Sequence, residues 1–284
     1  MQLPAQLLRR PDTCKGDYGH VLVLGGSPGL TGAVCLAAMS ALRVGSGLVT
    51  AGVPKALNSI VETKLTEVMS LPLSDNQGYI VSKALKEVKK FLRKVDSIVL
   101  GPGISLQNHT QRFVIDIIKN IDKPLVVDAD AITIIAKHLN ILRRRKTNKI
   151  ILTPHAGEFL RLIKIGKEEL DKRRKELVKE FALRYNLVLV LKGHRTLVSE
   201  NEDIFENNNG NAGMATAGTG DVLSGIIGGL IAQGLDCFEA AKFGVYLHGL
   251  AGDLAAKDKT ENCLIASDII EYLPEVIKHI KLQQ

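Results

Sequence analysis

Short runs that are apolar throughout, separated by segments of helical periodicity, constrain this chain more than any other feature. "HVLVLGG" (20–26), "GLVTAGV" (47–53), "SIVLGPG" (97–103), "PLVVDAD" (124–130), "KIILTP" (149–154), "LVLVLKG" (187–193) and "TLVSE" (196–200) read as strands. Helical patterns lie between them near 32–44, 81–94, 109–120 and 167–185, and two apolar helices follow near 221–233 and 238–256. A strand with no polar face must be covered on both sides. The pattern therefore predicts an α/β fold with a mostly parallel central sheet between two helical layers. Several strands end in polar or glycine-bearing turns: Gly25-Gly26, Gly101-Pro102-Gly103, Asp128-Ala129-Asp130, Thr153-Pro154-His155 and Lys192-Gly193. Ligands of open α/β sheets bind beyond the carboxyl ends of the strands, so these turns are expected to converge on one cleft.

The 284 residues contain no internal repeat, low-complexity tract or Pro-rich linker, which points to a single domain over 1–284. The net charge of +7 sits largely in local runs, Arg143–Lys146 and Lys172–Lys175, with few aromatic side chains among them. A nucleic-acid binder interleaves aromatics with its basic stripe, so solvated helix and loop faces are expected here, and no nucleic-acid partner. Cys14, Cys35, Cys237 and Cys263 lie far apart without a C-x-x-C pair, which indicates neither a disulfide framework nor a zinc site. "MQLPAQLLRRPD" has no apolar core of a signal peptide, and no apolar run is long enough to span a bilayer. A cytoplasmic protein without a membrane partner is the expectation.

"NAGMATAGTGDVLSGIIGGLIAQG" (211–234) changes character at Asp221, from small and glycine-rich to apolar and helix-like. Gly218 and Gly220 remove side chains that would keep an anion from the backbone, and the helix that follows aims its first N–H groups and positive dipole end at the same place. Asp221 could be simply the N-cap. It could also be a base beside donors for a transferring phosphoryl group, which is the layout of a kinase.

The Gly-Thr-Gly-Asp segment resembles the signature of the ribokinase-like superfamily. Together with "VLGGSPGLTGAVCLAAMSALRVGSGLVT", "GPGI", "VVDADAI", "TPHAGEF" and "LKGHRTLV", it resembles the NAD(P)H-hydrate dehydratase family over about residues 10–270. The resemblance implies a ribokinase-like three-layer α/β/α sandwich that uses ADP or ATP, with Mg²⁺, to dehydrate hydrated NADH or NADPH. It implies that Asp221 is the catalytic base and contacts the hydrate, and that Ala33, Gly103 and His155 line the hydrate pocket. Nucleotide binding is carried over to Lys192, Gly193, His194, Arg195 and Thr196, and to Gly218, Thr219 and Gly220. Glu158 resembles the carboxylate that organises Mg²⁺ through water. The resemblance leaves ADP and ATP both open as donor, and the lack of a signal or transit segment with the Lys/Ile-rich composition favours ADP. The resemblance also implies a homo-oligomer, a tetramer, and an NAD(P)H-hydrate epimerase on a separate chain.

Taken one by one, the motifs have plainer readings. "GGSPGLTGA" could be a tight strand-to-helix turn; it is not a Rossmann fingerprint, because no acidic residue follows Gly32 until Glu62. His155 and Glu158 could be a surface histidine and a helix-start glutamate, "KGHRT" an ordinary hairpin, and Asp128 and Asp130 caps of the next helix, with a metal or polar-network role as the second reading of Asp128. Where the family often carries an aromatic residue, this chain has Leu30. The alternative activity is a ribokinase-like kinase of a thiazole or pyrimidine alcohol; a non-catalytic nucleotide sensor is a third reading.

Overall fold

The computed structural model describes residues 1–282. In chain order its elements are β1 (His20–Leu24), α1 (Thr31–Arg43), β2 (Leu48–Pro54), α2 (Asn58–Lys64), β3 (Met69–Leu73), β4 (Asp75–Asn76), β5 (Tyr79–Ile80), α3 (Leu85–Phe91), β6 (Ser97–Leu100), α4 (Asn108–Asn120) and β7 (Leu125–Val127). There follow α5 (Asp130–Lys137), β8 (Ile150–Leu152), α6 (Ala156–Ile163), α7 (Lys167–Tyr185), β9 (Val188–Leu191), β10 (Leu197–Glu200), β11 (Asp203–Glu206), α8 (Thr219–Ala232), α9 (Cys237–Lys259) and α10 (Ala266–Leu282). Nine strands form one sheet in the order β11-β10-β9-β8-β7-β6-β1-β2-β3, while β4 and β5 form a separate hairpin. Pairing is parallel from β3 through β9 and antiparallel at β9–β10–β11.

The unbroken apolar runs are explained by the two cores. Along β1, Val21 and Val23 point into one core with α1, α8, α9 and α10, while Leu22 and Leu24 point into the other with α4, α5, α6 and α7. All four side chains are completely buried. Period-2 alternation, acting on a strand with helices on both faces, makes every position apolar. Among the described residues no helix is long and apolar enough to cross a membrane.

Several elements escaped the apolar-run reading for identifiable reasons. β3 carries Pro72 and is the sheet's outer strand, and β11, the opposite edge, is half-exposed "DIFE"; neither is covered on both faces. α10 contains Pro274 in its interior, a signal that ordinarily ends a helix. It is nevertheless held against α9 and α1 by Ile269, Leu273 and Val276.

Chain order reverses beside β1: β2 and β3 extend the sheet one way, then β6 returns to the other side of β1. The crevice of this fold therefore opens beyond the carboxyl ends of β1 and β6.

Candidate active site

The apolar helix starts two residues earlier than its sequence pattern suggests, and this changes the reading of Asp221. Gly218 is the N-cap of α8, with φ +92°, a left-handed conformation that suits glycine. Asp221 is the third helical residue, and its side chain makes no capping hydrogen bond. The N-cap alternative for this carboxylate is thus set aside. The first hydrogen bond of the helix runs from Val222 N–H to Gly218 C=O, so the amides of Thr219, Gly220 and Asp221 precede the ladder and are available to an anion.

Glycines farther along α8 bring it close to its neighbours. A Cβ on Gly225 would lie 2.0 Å from the Ala37 carbonyl of α1, and one on Gly228 would lie 2.4 Å from Val99 of β6. Close packing on α1 and β6 fixes the start of α8 above the crevice.

Three strand ends meet there. Lys192, just past β9, places its Nζ 2.6 Å from Asp128 Oδ1 at the end of β7, and Asp128 is only 1% exposed. Asp128 is therefore tied to Lys192 across the site; the expectation that such carboxylates cap the next helix fails for it. A Cβ on Gly220 would lie 3.0 Å from Lys192 Nζ, which puts the ammonium directly against the glycine backbone at the start of α8. Burial opposes the charge on Lys192, but the carboxylates of Asp128, Glu158 and Asp221 outweigh it and raise its pKa. Burial, reinforced by Asp128 and Asp130, pushes the Asp221 carboxyl up to about 7 against the pull of Lys192.

His155 follows β8 and bridges to Lys192 in the sheet. Its Nδ1 accepts the N–H groups of Gly157 and Glu158 at 3.0 and 3.3 Å, and Glu158 Oε2 accepts the His155 N–H at 2.8 Å. This capping box starts α6. With Nδ1 accepting, the other ring nitrogen carries the hydrogen. Burial first, then the nearby charges of Lys192 and Arg161, lower the His155 pKa against the pull of Asp128. Burial raises that of Glu158, opposed by Lys192 and by the His155 amide. The capping reading of this pair holds: the imidazole is exposed, its ring nitrogen caps α6, and its backbone bridges to Lys192.

At the switch point, Gly26 N–H donates to Pro102 C=O at 2.9 Å and the Ser27 hydroxyl donates to Gly103 C=O at 2.8 Å, joining the turns after β1 and β6. Gly103 has φ +60°, and a Cβ on it would lie 2.6 Å from the Leu30 carbonyl and 3.2 Å from the Ala33 Cβ. Ala33 and Gly103, far apart in sequence, are thereby neighbours, with exposed Leu30 beside them.

On the other side of α8 lies a cavity of about 590 Å³. Lys192, Gly193, His194, Arg195 and Thr196 line it, together with Thr219 and Gly220. Arg174 of α7 donates to the His194 carbonyl at 2.8 Å and so anchors the hairpin turn. The opposite wall is the polar run Asn207–Asn211 with Met214, Val245 and His248, of which the motifs include Asn211 and Met214 alone. Asp253 of α9 holds that run by accepting the Gly210 amide and the Asn211 side chain at 2.9 and 3.0 Å. "NNNGN" between a strand and the glycine turn is the only sequence signal for it.

A family model described as NAD(P)H-hydrate dehydratase matches residues 21–275. The chain belongs to the NAD(P)H-hydrate dehydratase family. It is 38% identical over 254 residues to the ADP-dependent (S)-NAD(P)H-hydrate dehydratase of Neisseria meningitidis, covering 87% of this chain and 80% of that one. It is 41% identical over 269 residues to the bifunctional NAD(P)H-hydrate repair enzyme Nnr of Moorella thermoacetica, covering 94% of this chain and 51% of that one. The chain thus spans about half the length of the bifunctional relatives it matches. The ADP/ATP-dependent NAD(P)H-hydrate dehydratase of Bacillus subtilis, crystallised with ATP and Mg²⁺, superposes with a TM-score of 0.81 at 31% identity, covering 98% of this chain and 95% of that one. A hydroxyethylthiazole kinase from Pyrococcus horikoshii superposes at 0.64 with 15% identity and shares the ribokinase-like fold.

In this member of the NAD(P)H-hydrate dehydratase family, the residues singled out from sequence do not all share one cavity, and His155, Glu158 and Asp221 lie outside the wall of the cavity described above. Ala33 and Gly103 meet at the switch point, while Lys192–Thr196, Thr219 and Gly220 share the cavity wall. Gly218 lies outside that wall and packs against Leu36 of α1 instead. Among the described residues no three His, Cys, Asp or Glu side chains cluster as direct metal ligands. Glu158 spends Oε2 on the capping box and has Oε1 3.6 Å from His155 Nε2, so any ion it organises would keep its own water between them.

Proposed function

We propose that this protein restores hydrated NADH or NADPH to the reduced cofactor in a nucleotide-dependent reaction, with ADP favoured over ATP as donor. The observation that carries the proposal is Asp221: a carboxylate with a pKa near 7, in the first turn of α8, beside unpaired main-chain amides and the Lys192 ammonium. A kinase-like site suits a dehydratase because hydroxide leaves poorly and phosphate leaves well. Asp221 takes the proton of the ring hydroxyl as that oxygen forms its bond to the terminal phosphorus and the bond to the nucleotide oxygen breaks. The amides of Thr219, Gly220 and Asp221, together with Lys192, receive the charge of the transferring group. The carbon–oxygen bond of the ester then breaks, pushed by the ring nitrogen lone pair, and the iminium so formed loses a proton from the adjacent ring carbon to the departing phosphate or to water, giving NAD(P)H, inorganic phosphate and the nucleotide one phosphate shorter. Ala33, Gly103 and His155 shape the hydrate side, and Lys192–Thr196 with Thr219 and Gly220 hold the nucleotide. Mg²⁺ bound at Glu158 through water would neutralise phosphate charge.

The reading extends to residues 1–284 acting as one unit, in the cytoplasm, as a homotetramer, alongside an NAD(P)H-hydrate epimerase on another chain. The ADP preference draws on the Neisseria relative, whose name states ADP dependence. The test is to incubate the protein with hydrated NADH, Mg²⁺ and either ADP or ATP. The expected result is regained absorbance of reduced nicotinamide with one phosphate released per cofactor, faster with ADP and lost with chelator. Failure to regain absorbance with either nucleotide, or accumulation of a stable phosphorylated product, would sink it; the latter would favour a small-molecule kinase.

A further inference from the structure

His248 stands in the wall of the nucleotide cavity, on α9, and none of the motifs discussed above includes it. Its Nε2 lies 2.9 Å from the main-chain carbonyl of Thr219. A carbonyl oxygen only accepts, so Nε2 carries the hydrogen and donates. Burial, with the positive charge of Lys192, pushes the ring down to about 4, so at neutral pH it is uncharged. A neutral ring supplies a directional donor without adding a second cation beside Lys192.

The Thr219 carbonyl and the Gly220 amide belong to one planar trans peptide and point in opposite directions. Fixing the carbonyl fixes the amide. That amide has no intrahelical partner and Gly220 has no side chain to anchor it, so the peptide is held through its carbonyl, which as the first of α8 also accepts the ladder bond from Leu223. The Thr219 hydroxyl ties the residue to the Met214 and Thr216 carbonyls, both at 3.1 Å, and His248 is the side-chain donor that adds to the ladder bond on the carbonyl of the next peptide. The geometry points to His248 as a positioning residue that braces the Thr219–Gly220 peptide and aims the Gly220 amide at the transferring phosphoryl group. This inference rests on the phosphoryl-transfer reading above.

A donor held ready for charge that develops in the transition state lowers the barrier without tightening the ground state. The test compares His248→Leu, which removes the N–H, with His248→Gln, whose amide nitrogen reaches the same carbonyl. kcat and KM for ADP are measured with hydrated NADH, and hydrogen exchange of the Gly220 amide is followed in parallel. His248→Leu is expected to lose roughly 10-fold or more in kcat while KM for ADP stays within about threefold, with faster exchange at Gly220. His248→Gln is expected to recover most of both. A raised KM with unchanged kcat in His248→Leu would mean the ring contacts the nucleotide directly and would overturn the inference, as would a Gln variant no better than Leu. Should His248→Leu fail to fold, His248→Asn, whose amide falls short of the carbonyl, takes its place. If the wild-type protein dehydrates nothing, the functional reading has failed. The brace is then judged by exchange at Gly220 with ADP bound, and equal rates in the wild type and the Leu variant would overturn it.

Discussion

Lys192 Nζ and Asp128 Oδ1 lie 2.6 Å apart, joining the end of β9 to the end of β7 across the intervening strand β8. The pair is half of the site's electrostatics: it neutralises a carboxylate with 1% exposure and holds a cation against the backbone of Gly220.

Breaking this pair from one side is expected to cost more than breaking it from both. Lys192→Met leaves Asp128 buried without a counter-charge, a loss of about 3 kcal/mol or more. Adding Asp128→Asn should return much of the melting temperature without restoring nucleotide affinity. Thermal melts and ADP titrations of the two variants measure this; a single variant as stable as wild type would show that the pair does not hold the site.

Turnover should depend on the ionised form of Asp221. With a pKa of about 7, kcat/KM is expected to fall roughly tenfold per pH unit below that value and to level off above it. Asp221→Asn should keep its fold and lose roughly 10²-fold or more in turnover. A flat pH profile, or turnover near wild type in the Asn variant, would remove Asp221 from the chemistry.

The same carboxylate should weigh on stability. Its pKa is raised from 3.8 to about 7 by burial first and by neighbouring carboxylates second, so folding favours the neutral acid. Below pH 3.8 both folded and unfolded chains hold the proton and no cost arises; as pH climbs through about 7 the folded chain must carry the buried charge. Asp221→Asn is therefore expected to melt higher than wild type at pH 8 and equally at pH 4. Calorimetry at the two pH values checks it, and a lower melting temperature at pH 8 would contradict the assigned shift.

Gly103→Ala should separate the two halves of the site. At φ +60° an alanine is strained, and its Cβ would press on the Leu30 carbonyl and on Ala33. Use of the hydrate is expected to fall by roughly 10-fold or more while ADP affinity is kept. Equal losses for both ligands, measured by steady-state kinetics and calorimetric titration, would place Gly103 elsewhere in the mechanism.

Much of the architecture was legible because strand and helix periodicities are local. "HVLVLGG" and "SIVLGPG" are apolar at every position because helices cover both faces, and they lie side by side as β1 and β6. The edge strands were harder to read: Pro72 in β3 and the half-exposed β11 lack that signal, and Pro274 disguised α10. In the site, strand-end turns marked Gly103 and Lys192, and the glycine-rich helix start marked Asp221. The Asn207–Asn211 wall and His248 did not stand out, since a polar run and a histidine in an apolar helix gain meaning only from what they face.

The amino-acid sequence by itself determined the layered α/β plan, the glycine turn before α8 and the inventory of chemical groups, because these follow from side-chain period, conformational freedom and charge along the chain. The folded structure alone decided that Asp128 answers Lys192, that Gly218 rather than Asp221 caps the helix, and that His248 reaches the Thr219 carbonyl. Those contacts join residues as many as 64 positions apart. No local propensity encodes them; they exist because parallel strands end together and burial makes each polar group find a partner.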